Sequence, residues 1–292
     1  MRIFVIGSTG VLGRTLLPRL QQAQHEIHTL VRSSQQAQIL QAAGIVATVG
    51  ELLRAETHHQ LTKLVKGCEA VIHIATAIPS NPSAPGAWDT NTRLRTEGTR
   101  HLLDAALQAG AARYIQQSIT MAYPDSGDTW LDEDQPLDTT PARATVCGPV
   151  IEMERMVRDV PPDRLQWNIL RGGTFVGPET GQVTLLERMR AGQVEIPGKG
   201  QNFISPIHVA DMAEAIALAL EHAPDGSIYN VVAQPLRYGD YIVMLAGRLH
   251  LPHPPYNASL PEAPSYRCSN QRAREQLGWQ PRHSIWPGEP AW

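Results

Sequence analysis

Near the N-terminus the residues Arg2-Ile3-Phe4-Val5-Ile6-Gly7-Ser8-Thr9-Gly10-Val11-Leu12-Gly13-Arg14 constrain the fold more than any other stretch. An apolar run of strand formers meets three glycines spaced three apart, and Leu12, Leu16, Leu17 and Leu20 then recur at helical spacing. In such a strand–turn–helix unit, Gly7 permits the tight turn and Gly10 lets a pyrophosphate approach the backbone. Gly13 lets the helix pack close to the strand. The unpaired N–H groups at the helix start then face the phosphates. Gly7, Thr9, Gly10, Val11, Leu12 and Gly13 are therefore candidate dinucleotide contacts.

Downstream of this loop, short apolar runs alternate with helical patterns, as in a parallel sheet covered on both faces. The periodicity predicts strands at 3–6, 26–31, 45–49, 70–75, 113–118 and 167–171. Helices are expected at about 92–109, 149–160 and 211–221, with Pro149 in a first turn and Asp211 as an N-cap. Pro18 is awkward in its helix, where an interior proline costs about 3 kcal/mol. The fold class is α/β, a Rossmann-type doubly wound parallel sheet with a smaller C-terminal substrate-covering region. Residues 1–176 form the nucleotide-binding part, with 206–233 returning to it, and 177–292 form an interleaved substrate region. Ligands in such sheets bind beyond the carboxyl ends of the strands. The loops at 75–90, 118–126 and 172–178 thus add Ala75, Thr76, Ala77, Ser118, Gly173 and Thr174 to the cofactor set.

The end of the second strand discriminates between cofactors. It reads Leu30-Val31-Arg32-Ser33, where an acidic residue would take a ribose 2′-hydroxyl. A guanidinium there suits a 2′-phosphate, so Arg32 and Ser33, flanked by Arg14, favour NADP(H), with NAD(H) as the alternative. A net charge of −3 and a pI near 6.4 give no reason to expect nucleic acid as a partner. Cys68, Cys147 and Cys268 are far apart, so no metal site is expected. The acidic stretch Asp125, Asp128, Asp132, Glu133, Asp134 and Asp138 fits no calcium loop and reads as a solvated surface. No apolar run approaches ~20 residues, which points to a soluble cytoplasmic protein without membrane partners.

These features resemble the extended short-chain dehydrogenase/reductase superfamily, in particular its NAD-dependent epimerase/dehydratase-like branch. Gly7–Gly13 looks like that family's cofactor loop and Val71-Ile72-His73-Ile74-Ala75 like its fourth strand. Arg171 through Pro178, Ile207-His208-Val209-Ala210-Asp211 and Leu277-Gly278-Trp279-Gln280-Pro281 are similar to its later signatures. The resemblance implies a tyrosine general acid/base and a lysine four residues later that lowers its pKa. Counted back from Glu154, those positions are Val146 and Val150. No tyrosine of this chain has a lysine four residues on, and lysine occurs only at Lys63, Lys66 and Lys199.

Tyr123 and Thr120 are the remaining candidates for a catalytic hydroxyl. Cys147 and His73 read as core residues, His208 and Asp211 as structural, and Glu152 and Glu154 as a solvated helix face. Gln201-Asn202-Phe203 stands where nucleotide-sugar members of the family carry an arginine, which favours a smaller or less charged ligand; Lys199 and Arg188 read first as surface charge, with anion contact as the alternative. The resemblance also implies a homodimer through the helices at 92–109 and 149–160. The leading expectation is an oxidoreductase acting on a small carbonyl or conjugated organic substrate. Its alternatives are a catalytically retired NADP(H) sensor or scaffold, and a nonredox isomerase, epimerase or cyclase.

Overall fold

The computed structural model describes residues 1–81, 84–161 and 163–288; Pro82 and Ser83 of the proline-rich loop lie outside them. The order of elements is β1 (Arg2–Ile6), α1 (Val11–Gln22), β2 (Glu26–Val31), α2 (Ser34–Ala42), β3 (Val46–Val49), α3 (Ala55–Val65) and β4 (Ala70–His73). A helical run comes next as α4 (Asp89–Arg93), a π-helical turn at Leu94–Gly98 and α5 (Thr99–Ala109). Then come β5 (Arg113–Ile119), α6 (Ala144–Arg158), β6 (Gln166–Gly172), α7 (Gly181–Arg190), α8 (Val209–His222), β7 (Ser227–Val231), α9 (Tyr238–Arg248) and α10 (Gln271–Leu277).

These strands form one seven-stranded sheet in the order β7-β6-β5-β4-β1-β2-β3. β1 pairs in parallel with β2 and β4, and Ile6 stands opposite Leu30 on one side and His73 on the other. Strand order reverses between β1 and β4, so the crevice beyond their carboxyl ends is the switch point where such sheets take ligands. One sheet face packs Phe4, Leu30, Val71, Tyr114 and Ile169 against Leu61, Leu102 and Ala106 of the helices. Each such large side chain contributes about 1.5–3 kcal/mol by leaving water.

Two compact units divide the chain. Met1–Ser118, Thr139–Leu170 and Ala213–Ile228 form the first; Ile119–Asp138, Arg171–Met212 and Tyr229–Trp292 form the second.

Several elements differ from their sequence expectation. Pro18 sits inside α1 and Pro149 inside α6, the latter well past the first turn. A proline frees the carbonyl four residues back, and here both freed carbonyls belong to exposed residues, Arg14 and Thr145. The helix expected at 92–109 begins at Asp89 and carries the π turn, which hydrophobic spacing does not reveal. It stops at Gly110, which adopts φ +72°.

Asp211 is a first-turn residue of α8 rather than its N-cap. Its buried carboxylate accepts from the backbone N–H groups of Arg282 and His283 and meets His283 Nδ1 at 2.6 Å. The Ala210 N–H goes instead to His208 Nδ1. The Trp279 indole donates to the Asp211 carbonyl, so the Leu277–Pro281 signature clamps the C-terminal segment to this helix start.

Candidate dinucleotide-binding site

The glycine loop lies immediately beyond β1. Gly7 has φ +100°, and a Cβ there would come within 2.7 Å of the Ala75 nitrogen beyond β4. Only glycine meets both demands. At Gly13 a Cβ would lie 2.3 Å from the Gly7 carbonyl oxygen and 2.4 Å from that of Ser8, so the helix approaches the loop as closely as the backbone allows. Gly10 differs. Its Cβ would meet nothing closer than the Gly7 oxygen at 3.4 Å and would project into the free space above the loop.

Gly10 caps α1 without a side-chain hydrogen bond, and no acidic residue stands in the first turn. The helix therefore offers unpaired N–H groups and its positive end to an anion. Ser8 is buried and accepts from Thr29 Oγ1 at 2.7 Å, which ties the loop to β2. The residues thus fit a dinucleotide pyrophosphate: space, donors and rigid support are all present.

Arg14 turns its guanidinium onto the Thr9 carbonyl and so braces the loop. Arg32 and Ser33 are exposed at the end of β2. Ser33 caps α2, accepting from the Gln36 N–H, while the Arg32 backbone N–H donates to Gln36 Oε1 at 3.1 Å. Among the described residues the Arg32 guanidinium has no hydrogen-bond or ion-pair partner, which leaves its fork available beside the N-terminus of α2.

Beyond β4, the Ala77 N–H donates to Oδ1 of Asn91, a buried α4 residue that the sequence pattern does not single out. Ala75 and Ala77 are half-buried and Thr76 is exposed. At the end of β5, Ser118 is fully buried and donates to Glu154 Oε1 at 2.6 Å. This corrects the expectation of a solvated Glu154, whereas Glu152 does lie on the outer face, paired with Arg155. Val150 and Cys147 are buried on the same helix and Val146 is half-buried. His73 is a core residue as expected, bonded through Nδ1 to Gln116 Oε1 at 3.1 Å, and burial lowers its pKa to about 4.

The candidate hydroxyls lie in the second unit, and both are sealed. Tyr123 is wholly buried; its hydroxyl accepts from Arg171 Nη1 at 2.6 Å and donates to Asn230 Oδ1 at 3.0 Å. Burial raises its pKa well above the ordinary phenol value despite the adjacent guanidinium. Thr120 is buried as well, 3.4 Å from the Gly172 carbonyl. Both hydroxyls therefore make internal hydrogen bonds within this unit.

The acidic stretch is likewise only partly a solvated surface. Glu133 is buried and accepts from the Asn230 N–H, burial raises its pKa, and Arg272 bridges Glu133 and Asp134. Gly173 cannot carry a Cβ, which would fall 2.0 Å from the Ser205 oxygen, and Thr174 opens a short strand paired with Pro206–His208. Among the described residues no group of His, Cys, Asp and Glu is arranged to hold a metal ion.

Residues 3–232 match the model of the NAD dependent epimerase/dehydratase family. The chain belongs to this family. The chain is similar to a 3-diazoavenalumate denitrifying reductase of a Streptomyces species, 33% identical over 98% of this chain and 98% of that protein. It is also similar to the Stigmatella aurantiaca 4-hydroxy-2-methyl-3-oxo-4-farnesyl-3,4-dihydroquinoline-1-oxide ketoreductase, 27% identical over 84% of this chain and 72% of that one. Among solved structures, MoeE5 in complex with UDP-glucuronic acid and NAD superposes with a TM-score of 0.80 at 20% identity, covering 98% of this chain and 95% of MoeE5. That last likeness concerns the fold of the family. No helix among the described residues is long and apolar enough to cross a membrane.

Proposed function

We propose that this family member is an NADP(H)-dependent reductase that delivers hydride to an acceptor requiring no proton from the protein. The observation carrying this reading is the pairing of a complete cradle with aliphatic Val146 and Val150, while Tyr123 and Thr120 are sealed. When bound, the cofactor supplies hydride. The chain's residues hold and orient it: the α1 N–H groups take the pyrophosphate, and Arg32 with Ser33 takes a 2′-phosphate.

Reducing a simple ketone leaves an alkoxide that needs a general acid. A cationic acceptor does not. An aryl diazonium ion takes hydride at its terminal nitrogen and becomes a neutral aryl diazene. The diazene then gives its N–H proton to water, its carbon–nitrogen bond breaks as dinitrogen leaves, and the carbon takes up a proton from water. The balance is one diazonium and one hydride in, one arene and one dinitrogen out. The 33% identical relative, named as a denitrifying reductase of a diazo compound, supports this substrate class for a chain with no acid/base pair.

The test is NADPH oxidation followed at 340 nm with an aryl diazonium salt, alongside dinitrogen release. Equal yields above the enzyme-free rate are expected. Tight NADPH binding without oxidation, across diazonium and conjugated carbonyl substrates, would instead establish the sensor reading.

A further inference from the structure

A buried cation in the first unit takes no part in the dinucleotide cradle. Arg95 lies on the π turn between α4 and α5 and is 3% exposed. Its only hydrogen bond among the described residues runs from Nη1 to the Met153 thioether sulfur at 3.7 Å, a weak acceptor. No carboxylate of the described residues stands within ion-pair distance of it. Glu154, on the neighbouring position of α6, already accepts from Ser118, and it acts on Arg95 only through space. Burial lowers the Arg95 pKa to about 10, which still leaves it charged at neutral pH. Nε and Nη2 have no hydrogen-bond partner among the described residues.

A guanidinium held out of water is normally matched by carboxylates or carbonyls. This one is short of acceptors, and its surroundings mark where one would come from. Asn91, four residues earlier in the same helical run, fixes the loop beyond β4 through Ala77. Ser118 ends β5, and Met153 and Glu154 lie one helical turn after Val150. Arg95 thus borders the carboxyl ends of β4 and β5, the side on which sheets of this topology take ligands. π turns inserted in α-helices frequently occur at functional sites.

We infer that Arg95 is the substrate's anion receptor, taking a carboxylate of a conjugated organic acid in a forked, two-bond contact. This rests on the reductase reading for the identity of the site, and it makes that reading specific to organic acids. Arginine, rather than lysine, suits the role because its planar fork matches both carboxylate oxygens. Arg95 is a binding and positioning residue and supplies no proton.

The test uses the NADPH-loaded full-length protein with two probe pairs: 4-hydroxycinnamate against 4-hydroxycinnamamide, and benzoate against benzamide. In wild type at least one carboxylate is expected to raise Tm and to bind about ten-fold or more tighter than its amide. Arg95→Met is expected to abolish that discrimination, and Arg95→Lys to restore part of it. Without a carboxylate, Arg95→Met should raise Tm by about 2 °C or more, because an under-paired buried charge has been removed.

A structural arginine would behave oppositely, so a fall in Tm with discrimination retained overturns the inference. So does a wild type that prefers neither carboxylate. Loss of NADPH affinity in Arg95→Met with discrimination unchanged would move Arg95 to the cofactor and overturn it as well. Failure of the diazonium assay with these binding results intact would refute the reductase reading and leave the anion receptor standing.

Discussion

Replacing Tyr123 with phenylalanine separates a structural hydroxyl from a catalytic one. The ring stays packed among Leu131, Val232, Tyr266 and Cys268, and the Arg171 guanidinium keeps its place 4.9 Å from the ring centroid. Only the hydroxyl is lost, with two hydrogen bonds: the one accepted from Arg171 at 2.6 Å and the one donated to Asn230 at 3.0 Å. Arg171 is 3% exposed, so its orphaned N–H cannot turn to bulk water, although a longer bond to the Glu133 carbonyl at 3.3 Å remains.

A hydrogen bond to a charged group is worth about 1.5–3 kcal/mol and a neutral one about 1 kcal/mol, so the variant should lose roughly 3 kcal/mol. For a chain of this size that corresponds to a fall in Tm of roughly 6–12 °C. Thermal and urea unfolding measure the loss, and NADPH oxidation well below the transition measures turnover per folded molecule, which should be unchanged. A fall in turnover of about 100-fold or more with Tm unaltered would refute this reasoning, because that is the signature of a lost general acid.

Other perturbations test the same geometry. Gly10→Ala should leave stability nearly unchanged yet abolish NADPH binding by fluorescence, since its Cβ would enter open space above the loop. Gly13→Ala should lose both, because its Cβ would stand 2.3 Å from a carbonyl oxygen, and overpacking of this kind costs about 1–3 kcal/mol or more. Arg32→Ala should weaken NADPH by roughly 10–100-fold while leaving NADH affinity alone, as loss of a charge-assisted phosphate contact requires; an unchanged NADPH/NADH ratio would refute the cofactor assignment. The His73 imidazole is held neutral by burial, with its pKa lowered from 6.5 to about 4. The unfolded chain therefore binds a proton first as pH falls, and His73 opposes folding progressively from pH 6.5 down to about 4. At about 1.4 kcal/mol per unit this amounts to roughly 3 kcal/mol, so urea unfolding of His73→Gln should show a flatter slope than wild type across that window.

The glycine loop, the strands and the main helices were legible because each is written in neighbouring residues. α5 was bounded by Gly110, and the turn beyond β1 by glycines whose steric need is local. The candidate site was legible only where residues adjacent in the chain form it. Arg32 was readable because it directly follows β2, whereas Asn91 and Arg95 gave no signal: a polar residue and a basic one in a helical run read as solvent-facing. Pro149 misled, since a first-turn proline would start the helix there, whereas it lies inside α6 and the carbonyl it frees belongs to exposed Thr145.

By itself, the sequence determined that a dinucleotide cradle heads an α/β sheet and that no tyrosine of this chain has a lysine four residues on. Short-range steric rules and residue identity suffice for that. Only the tertiary structure decided the fate of the polar side chains. Tyr123 meets Arg171 across 48 residues and Asn230 across 107, and Ser118 meets Glu154 across 36. Arg95 is brought into the interior with the Met153 sulfur as its hydrogen-bond acceptor among the described residues. Whether a charge or hydroxyl is spent inside the fold or left to meet a ligand depends on which distant groups packing brings within 3 Å or so, at hydrogen-bond range. No local pattern encodes that.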